Sequence, residues 1–300
     1  MHFETWGLTG TLATQHEGQL ALAEERLWHW IRAFDAACNR FTVESEISRL
    51  NAGPHKPTPV SEVFELALDA ALLASDVTGG LCDPTVLPAL LALGYDRDYD
   101  ELAQRTDVAV LAPVPAPGVG AIEFDRARHT VTLAPGCQID LGASAKALVA
   151  DLVAQELEPL GGVIVEIGGD IAVRGEGPDG PWAIGVAASL EVTGLEPRIS
   201  IASGGVATSS STTRVWRAGG RPVNHIVDPR TGACANGPYA TATITAPSCV
   251  LANAFATAAL LWDEDAPYFI SQAGWSGRLV RRDGTVELVG AWPRDDEDVR

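Results

Sequence analysis

Lysine is nearly absent from this chain. Its 21 basic residues comprise nineteen arginines and only Lys56 and Lys146, set against 39 acidic residues, for a formal net charge of −18. A deficit of that size excludes the basic face that phosphate neutralisation needs, so nucleic acid is not an expected partner. It argues equally against an anionic membrane surface. An anionic small ligand must then be held by local dipoles, by a cation or by a few focused charges. Long apolar runs are missing too: none approaches the roughly 18–20 residues that span a bilayer. Residues 1–14 carry neither a basic start nor a long apolar core, so no secretory signal is expected. The five cysteines (Cys38, Cys82, Cys137, Cys234 and Cys249) are odd in number, scattered and without a C-x-x-C pair. That usage favours reduced thiols in a cytoplasmic protein over a disulfide frame or a zinc site.

Several signatures are lacking as well. There is no G-x-x-x-x-G-K-[ST], no H-E-x-x-H and no G-x-S-x-G. "GEGPDG" (175–180) matches G-x-G-x-x-G literally, but it contains Pro-Asp and runs into a strand-like segment. No helix N-terminus follows to receive a pyrophosphate, and the segment is expected to be a hairpin turn.

What is present reads as mixed helix and strand. Apolar positions at helical spacing predict helices over about 17–38, 60–77 (opened by Ser61), 142–158, 249–261 and 264–273. Ser45 is expected to cap a short turn, and Pro84 to open a helical stretch after "TGGLCD". Strands are expected at "AIEFD" and "HTVTLA", along "GVIVEIGGDIAVRG", at "WAIGVAA" and "RISIAS", and in a final hairpin turning at Asp283-Gly284. Hairpin-linked strands with segregated helices point to α+β and not to a doubly wound sheet.

Lys146 stands in "DLGASAKALVAD" (140–151). If a helix begins near Gly142, this lysine lies just past its first turn, where free N–H groups favour anions. It is either an ordinary exposed helix lysine or an anion ligand; the scarcity of lysine and its apolar flanks favour the ligand. "VEIGGDIAV" (165–173) sets Gly169 and Asp170 between two strands, either as a tight turn or as a close backbone approach to a ligand. "NHIVDPRTG" (224–232) carries His225, whose imidazole is the natural base for a hydroxyl proton. Asn253 and Thr257, at i and i+4 in "CVLANAFATAALLW", align two oxygens on one helix face, a donor set that suits Mg²⁺ or Ca²⁺ as well as simple packing.

Together and in order, "RFTVESEISRLN", "GGLCDPTV", "IDLGASAKALVAD", "VEIGGDIAVRG", "GVATSS", "HIVDPRTG" and "SCVLANAFATAAL" resemble the ApbE family of FAD:protein FMN transferases, from about residue 5 to 265. The resemblance implies an α+β fold of two packed lobes of mixed or antiparallel sheet with flanking helices, an FAD cleft between them, one such domain over 1–292 and an acidic tail at 293–300. It implies Mg²⁺-dependent transfer of FMN from FAD to a Ser or Thr hydroxyl of a target flavoprotein, with AMP released. FAD hydrolysis to FMN and AMP, or FAD binding without catalysis, are the alternatives.

Carried over by position, His225 is the expected base. Trp6, Phe41, Leu81, Cys82, Asp83, Asp140, Lys146, Gly169, Asp170 and Ile226 are the expected FAD contacts, with Leu81–Asp83 at the adenine end. The Ala143 carbonyl, Asn253 and Thr257 are the expected metal ligands. The chain departs from the family pattern at Trp6-Gly7-Leu8 (usually Met-Gly-Thr), at Phe41 (usually Tyr), at Ala147 (usually Gly), at "TSSSTT" (208–213, usually Thr-Ser-Gly-x-Tyr) and at Asn253 (usually Asp). An amide in place of a carboxylate is expected to weaken Mg²⁺ binding.

Overall fold

The computed structural model describes residues 1–106, 108–109, 111–186 and 197–294. The chain opens with the hairpin β1 (His2–Thr5) and β2 (Leu8–Thr14), followed by α1 (Leu20–Cys38). Then come α2 (Glu46–Asn51), β3 (Thr58–Pro59), α3 (Glu62–Val77), α4 (Leu87–Ala92), α5 (Tyr99–Ala103) and the hairpin β4 (Ile122–Asp125) and β5 (Thr130–Leu133). α6 (Gly142–Leu157) leads into β6 (Val163–Ile167), β7 (Asp170–Arg174), β8 (Trp182–Gly185), β9 (Arg198–Ile201) and β10 (Ser203–Ser210). β11 (Val215–Ala218), β12 (Arg221–Asn224), β13 (Tyr239–Ala246), α7 (Cys249–Ala259), α8 (Ala266–Gln272), β14 (Ser276–Arg281) and β15 (Val286–Val289) complete it.

Local signals explain most of these limits. Ser45 and Ser61 cap α2 and α3 by accepting from the N–H groups of Ser48 and Phe64. Pro84 opens a short 3₁₀ turn before α4, as expected. In "GEGPDG", Gly177 and Gly180 exchange backbone hydrogen bonds of 2.7 and 3.3 Å ahead of β8, so this segment is a turn. The end of the expected strand "WAIGVAA", Ala187 and Ala188, lies outside the described residues, as does most of the expected acidic tail. Among the described residues, no helix is long and apolar enough to cross a membrane.

Two compact units emerge. One comprises residues 1–30, 146–213 and 236–300; the other comprises 31–145 and 214–235. The first holds an eight-stranded antiparallel sheet in the order β1-β2-β6-β7-β10-β13-β14-β15, with the separate pair β8-β9. Strand alternation sorts its side chains. Ile171 and Val173 of β7 and Val206 of β10 pack with Ile184, Ile199 and Trp292 on one face. Asp170, Ala172 and Arg174 therefore point to the other face, alongside Ala207, Gly205 and Ser203, their partners on β10. α7 covers that face, where Ala252 packs with Ala207 and Ala246. A Cβ on Gly205 would stand 2.3 Å from the backbone of Ser248 and Cys249, so glycine is what lets the start of α7 lie directly on β10.

The second unit has the small sheet β3-β5-β4 and the hairpin β11-β12. Its core gathers Leu87, Leu90, Leu93, Tyr95, Leu102, Trp216 and Val227. The Trp216 indole donates to the Leu93 carbonyl (2.8 Å), tying the hairpin to the end of α4.

Candidate active site

In the first unit, two tight turns stand at the same end of the large sheet. Trp6 and Gly7 (φ 52° and 67°) link β1 to β2, and Gly168 and Gly169 (φ 60° and 90°) link β6 to β7. Two successive positive φ values are the signature of the hairpin turn that matches strand twist. The pairing of Gly10 with Ile167 brings the two turns side by side, and Gly168 N–H donates to the Thr9 carbonyl. Gly169 N–H donates to Glu166 Oε1 (2.9 Å), and burial raises the Glu166 carboxyl above its usual range. The turn is thus closed by Glu166. Asp170 turns inward.

There Asp170 is 2% exposed and accepts from two partners: Lys146 Nζ at 2.6 Å on Oδ2 and Asn253 Nδ2 at 2.8 Å on Oδ1. Three of the expected site residues, from α6, β7 and α7, thereby form one buried chain of hydrogen bonds. The bond to a carboxylate fixes the Asn253 amide orientation, because an ionised Asp only accepts. Asn253 Oδ1 then points away from it, buried and without a hydrogen-bond partner among the described residues. Thr257, one turn further along α7, shares a hydrogen bond of 3.0 Å with Ser209 Oγ. A partnerless amide oxygen beside a carboxylate, one helical turn from a hydroxyl, is a donor set of hard oxygens, and it fits a hard cation such as Mg²⁺. Among the described residues, no group of three or more His, Cys, Asp or Glu could hold a metal.

Asp151, five residues after Lys146, has a role that its sequence position does not reveal. Its two oxygens accept from the N–H groups of Cys249 and Val250, both at 3.0 Å, and so cap α7 from another helix. Arg174 stands 3.6 Å away, but burial dominates and raises the carboxyl. Cys249 lies wholly buried beside Asp170 and Asp151. Burial and both carboxylates push its thiol well above the ordinary value, so it is a packed neutral group and not a nucleophile.

In the second unit, Asp140 accepts from Arg40 Nε (2.7 Å) and from Gly142 N–H (2.7 Å), the latter at the start of α6. The Arg40 guanidinium also donates to the Tyr95 carbonyl and lies over the rings of Phe41 (4.1 Å) and Tyr95 (4.6 Å). Arg40 was not singled out by sequence; its one signal was adjacency to Phe41. Phe41 is 39% exposed. Ala143 stands exposed in the first turn of α6.

Leu81, Cys82 and Asp83 are all buried. Asp83 Oδ1 accepts from the Thr85 N–H and hydroxyl, both at 2.7 Å, and Cys82 N–H donates to Thr78 Oγ1. Capping is therefore what this carboxylate visibly does. Burial also pushes the Cys38 thiol up to about 12 and the Cys137 thiol up to about 11.

His225 follows β12 and is half-buried, while Ile226 is buried. The loop around them is firmly built. Asn224 donates to the Ala235 carbonyl and accepts from Ile226 N–H, and Ala235 N–H returns a bond to Ile226. Asp228 is occupied by Arg230, at 2.9 and 3.0 Å, and by its own turn. The backbone on either side of His225 is thereby held in place.

The comparisons with known proteins agree in extent. The ApbE family model matches residues 6–276. The FAD:protein FMN transferase of Haemophilus influenzae is 28% identical over 277 residues, covering 87% of this chain and 80% of that protein. Its counterpart from Vibrio cholerae is 27% identical over 235 residues, covering 77% and 70%. Among solved structures, the ApbE protein of Thermotoga maritima superposes with a TM-score of 0.80 at 23% identity, covering 96% of each chain. The flavinyl transferase ApbE of Pseudomonas stutzeri does so with 0.78 at 21% identity, covering 96% of this chain and 93% of that one. These structural likenesses establish the shared α+β fold. With the family model matching residues 6–276, most of its length, the chain belongs to the ApbE family.

Proposed function

We propose that this protein transfers FMN from FAD to a Ser or Thr hydroxyl of a target flavoprotein. The observation that carries this reading is the buried Lys146–Asp170–Asn253 chain with its partnerless amide oxygen, in a member of a family whose curated relatives bear that activity in their names. In the reaction, the acceptor oxygen forms a bond to the FMN-side phosphorus of FAD. The bridging P–O bond to the other phosphate breaks, AMP leaves, and the hydroxyl proton passes to His225. Lys146 supplies positive charge to the pyrophosphate, which a chain of net charge −18 must concentrate locally. Asn253 and Thr257 would hold Mg²⁺, which when bound neutralises phosphate charge. Trp6, Phe41, Leu81–Asp83, Asp140, Gly169, Asp170 and Ile226 are the remaining proposed FAD contacts. Cysteines 38, 82, 137, 234 and 249 are not joined in disulfides, which supports a reducing, cytoplasmic setting.

The test is incubation with FAD, Mg²⁺ and candidate acceptor flavoproteins, with mass spectrometry of the acceptor. An FMN adduct with release of AMP is expected. His225→Ala should lower transfer by roughly 10²-fold or more, the usual scale for a general base, with FAD affinity by flavin fluorescence little changed. Loss of FAD binding with turnover per bound FAD intact would remove His225 from the base role. Release of AMP and free FMN without an acceptor would make the protein a hydrolase, and intact FAD under saturating Mg²⁺ would make it a carrier.

A further inference from the structure

The Lys146–Asp170–Asn253 chain is electrically balanced. One ammonium meets one carboxylate, and the third member is a neutral amide that donates to the carboxylate while its own oxygen stays partnerless. Both Asp170 oxygens are thus engaged, one by Lys146 and the other by Asn253. The nearby Asp151 is committed to the first turn of α7. A divalent cation arriving at Asn253 Oδ1 would find a single carboxylate within this cluster, already neutralised. The lysine differs from its two partners in exposure. Its side chain is 20% exposed where that of Asp170 is 2% exposed, so the ammonium can swing outward while the carboxylate stays.

We propose that Lys146 is an internal counter-ion that competes with a divalent cation for Asp170, and that an anionic nucleotide relieves the competition by drawing the ammonium to its phosphates. This rests on the flavin-nucleotide reading for its anion. Two consequences follow from charge alone. The free protein binds divalent cations weakly, because the cation must displace or coexist with an ammonium a few ångströms away. Nucleotide and cation each tighten the other's binding by the same factor, since coupling between two ligands is reciprocal.

Mn²⁺ binding to the nucleotide-free protein, read from the free Mn²⁺ signal in electron paramagnetic resonance, tests the first consequence. Lys146→Met, which keeps the length and removes the charge, should bind Mn²⁺ at least about tenfold tighter than wild type. Lys146→Arg, which keeps the charge, should stay weak. Asn253→Asp, which adds a second carboxylate against one lysine, should also tighten Mn²⁺. The second consequence is read by FAD titration with and without Mg²⁺: the enhancement by Mg²⁺ in wild type should shrink in Lys146→Met. Circular dichroism melts establish that each variant is folded, and should Lys146→Met not fold, the Arg and Asp variants carry the comparison. Mn²⁺ affinity unchanged or lowered in Lys146→Met, or raised equally in Lys146→Arg, overturns the counter-ion. If Mn²⁺ responds as expected but FAD does not bind, the counter-ion stands and the flavin reading falls. If FAD binds and Mn²⁺ does not respond, the reverse holds.

Discussion

Asp151 shows how much a single residue can carry without advertising it. Its carboxylate satisfies two N–H groups at the start of α7, donors that would otherwise lie buried without acceptors. Asp151→Ala should therefore lower unfolding stability by about 2–3 kcal/mol, measured by urea titration at pH 7. The pH dependence follows from the raised carboxyl. The folded protein keeps the Asp151 proton above 3.8, where the unfolded chain has lost it. Between those two values the native state holds more protons, so the proton-linked part of the Asp151 contribution is fully present below 3.8 and is lost as pH rises through the folded value, which leaves the hydrogen bonds to α7 as what is measured at pH 7. Asp151→Asn cannot titrate. The stability of wild type minus that of Asp151→Asn should be largest near pH 3.8 and fall as pH rises. A difference that grows with pH would show that the hydrogen bonds outweigh burial.

Residue type alone marked some of these positions. Lys146 stood out by rarity, Asp170 by two preceding glycines, and Asn253 by being an amide in an apolar helix. Asp151, Arg40 and Ser209 did not, because their partners lie 98, 100 and 48 residues away along the chain. Local patterning carries no trace of such meetings.

At the scale of elements, capped and periodic segments were legible. α1, α3, α6 and α7 fall within a few residues of the apolar pattern, and the Asp283-Gly284 turn sits between β14 and β15. The strands β1, β2, β10 and β13 were not foreseen. β10 reads "SGGVATSS" and β13 "YATATITA", small and hydroxylated residues whose strand state is set by ladder partners on both sides. The reward for that composition is a thin seam under α7. Gly205→Ala would place a methyl group against the Ser248–Cys249 backbone and lift the helix start off the Asp151 oxygens. A loss of about 1–3 kcal/mol in urea unfolding is expected. Gly18→Ala, where a Cβ meets nothing within 4 Å, should change stability by less than about 0.5 kcal/mol.

On the scale of the whole molecule, the chain order interleaves its two units. Two of the four crossings fall inside helices: in α1, between Trp30 and Ile31, and in α6, between Ala145 and Lys146. The block "DLGASAKALVAD" thus spans a division, and no sequence period announces it. Composition did speak at this scale: the scarcity of lysine left Lys146, among small residues, as a conspicuous charge.

That scarcity has a practical consequence. A protein with two lysine side chains offers amine-directed acylating reagents two ε-amino groups in 300 residues. Lys56 is exposed and should be modified rapidly, whereas Lys146 must first leave its carboxylate and turn outward. Peptide mass mapping after brief acylation should show Lys56 labelled and Lys146 spared, and Asp170→Asn should expose Lys146 to the reagent. Equal labelling of both lysines in the wild-type protein would mean that the ion pair is open most of the time. The chain's poverty in one amino acid turns a buried electrostatic contact into a chemical footprint read from a single peptide.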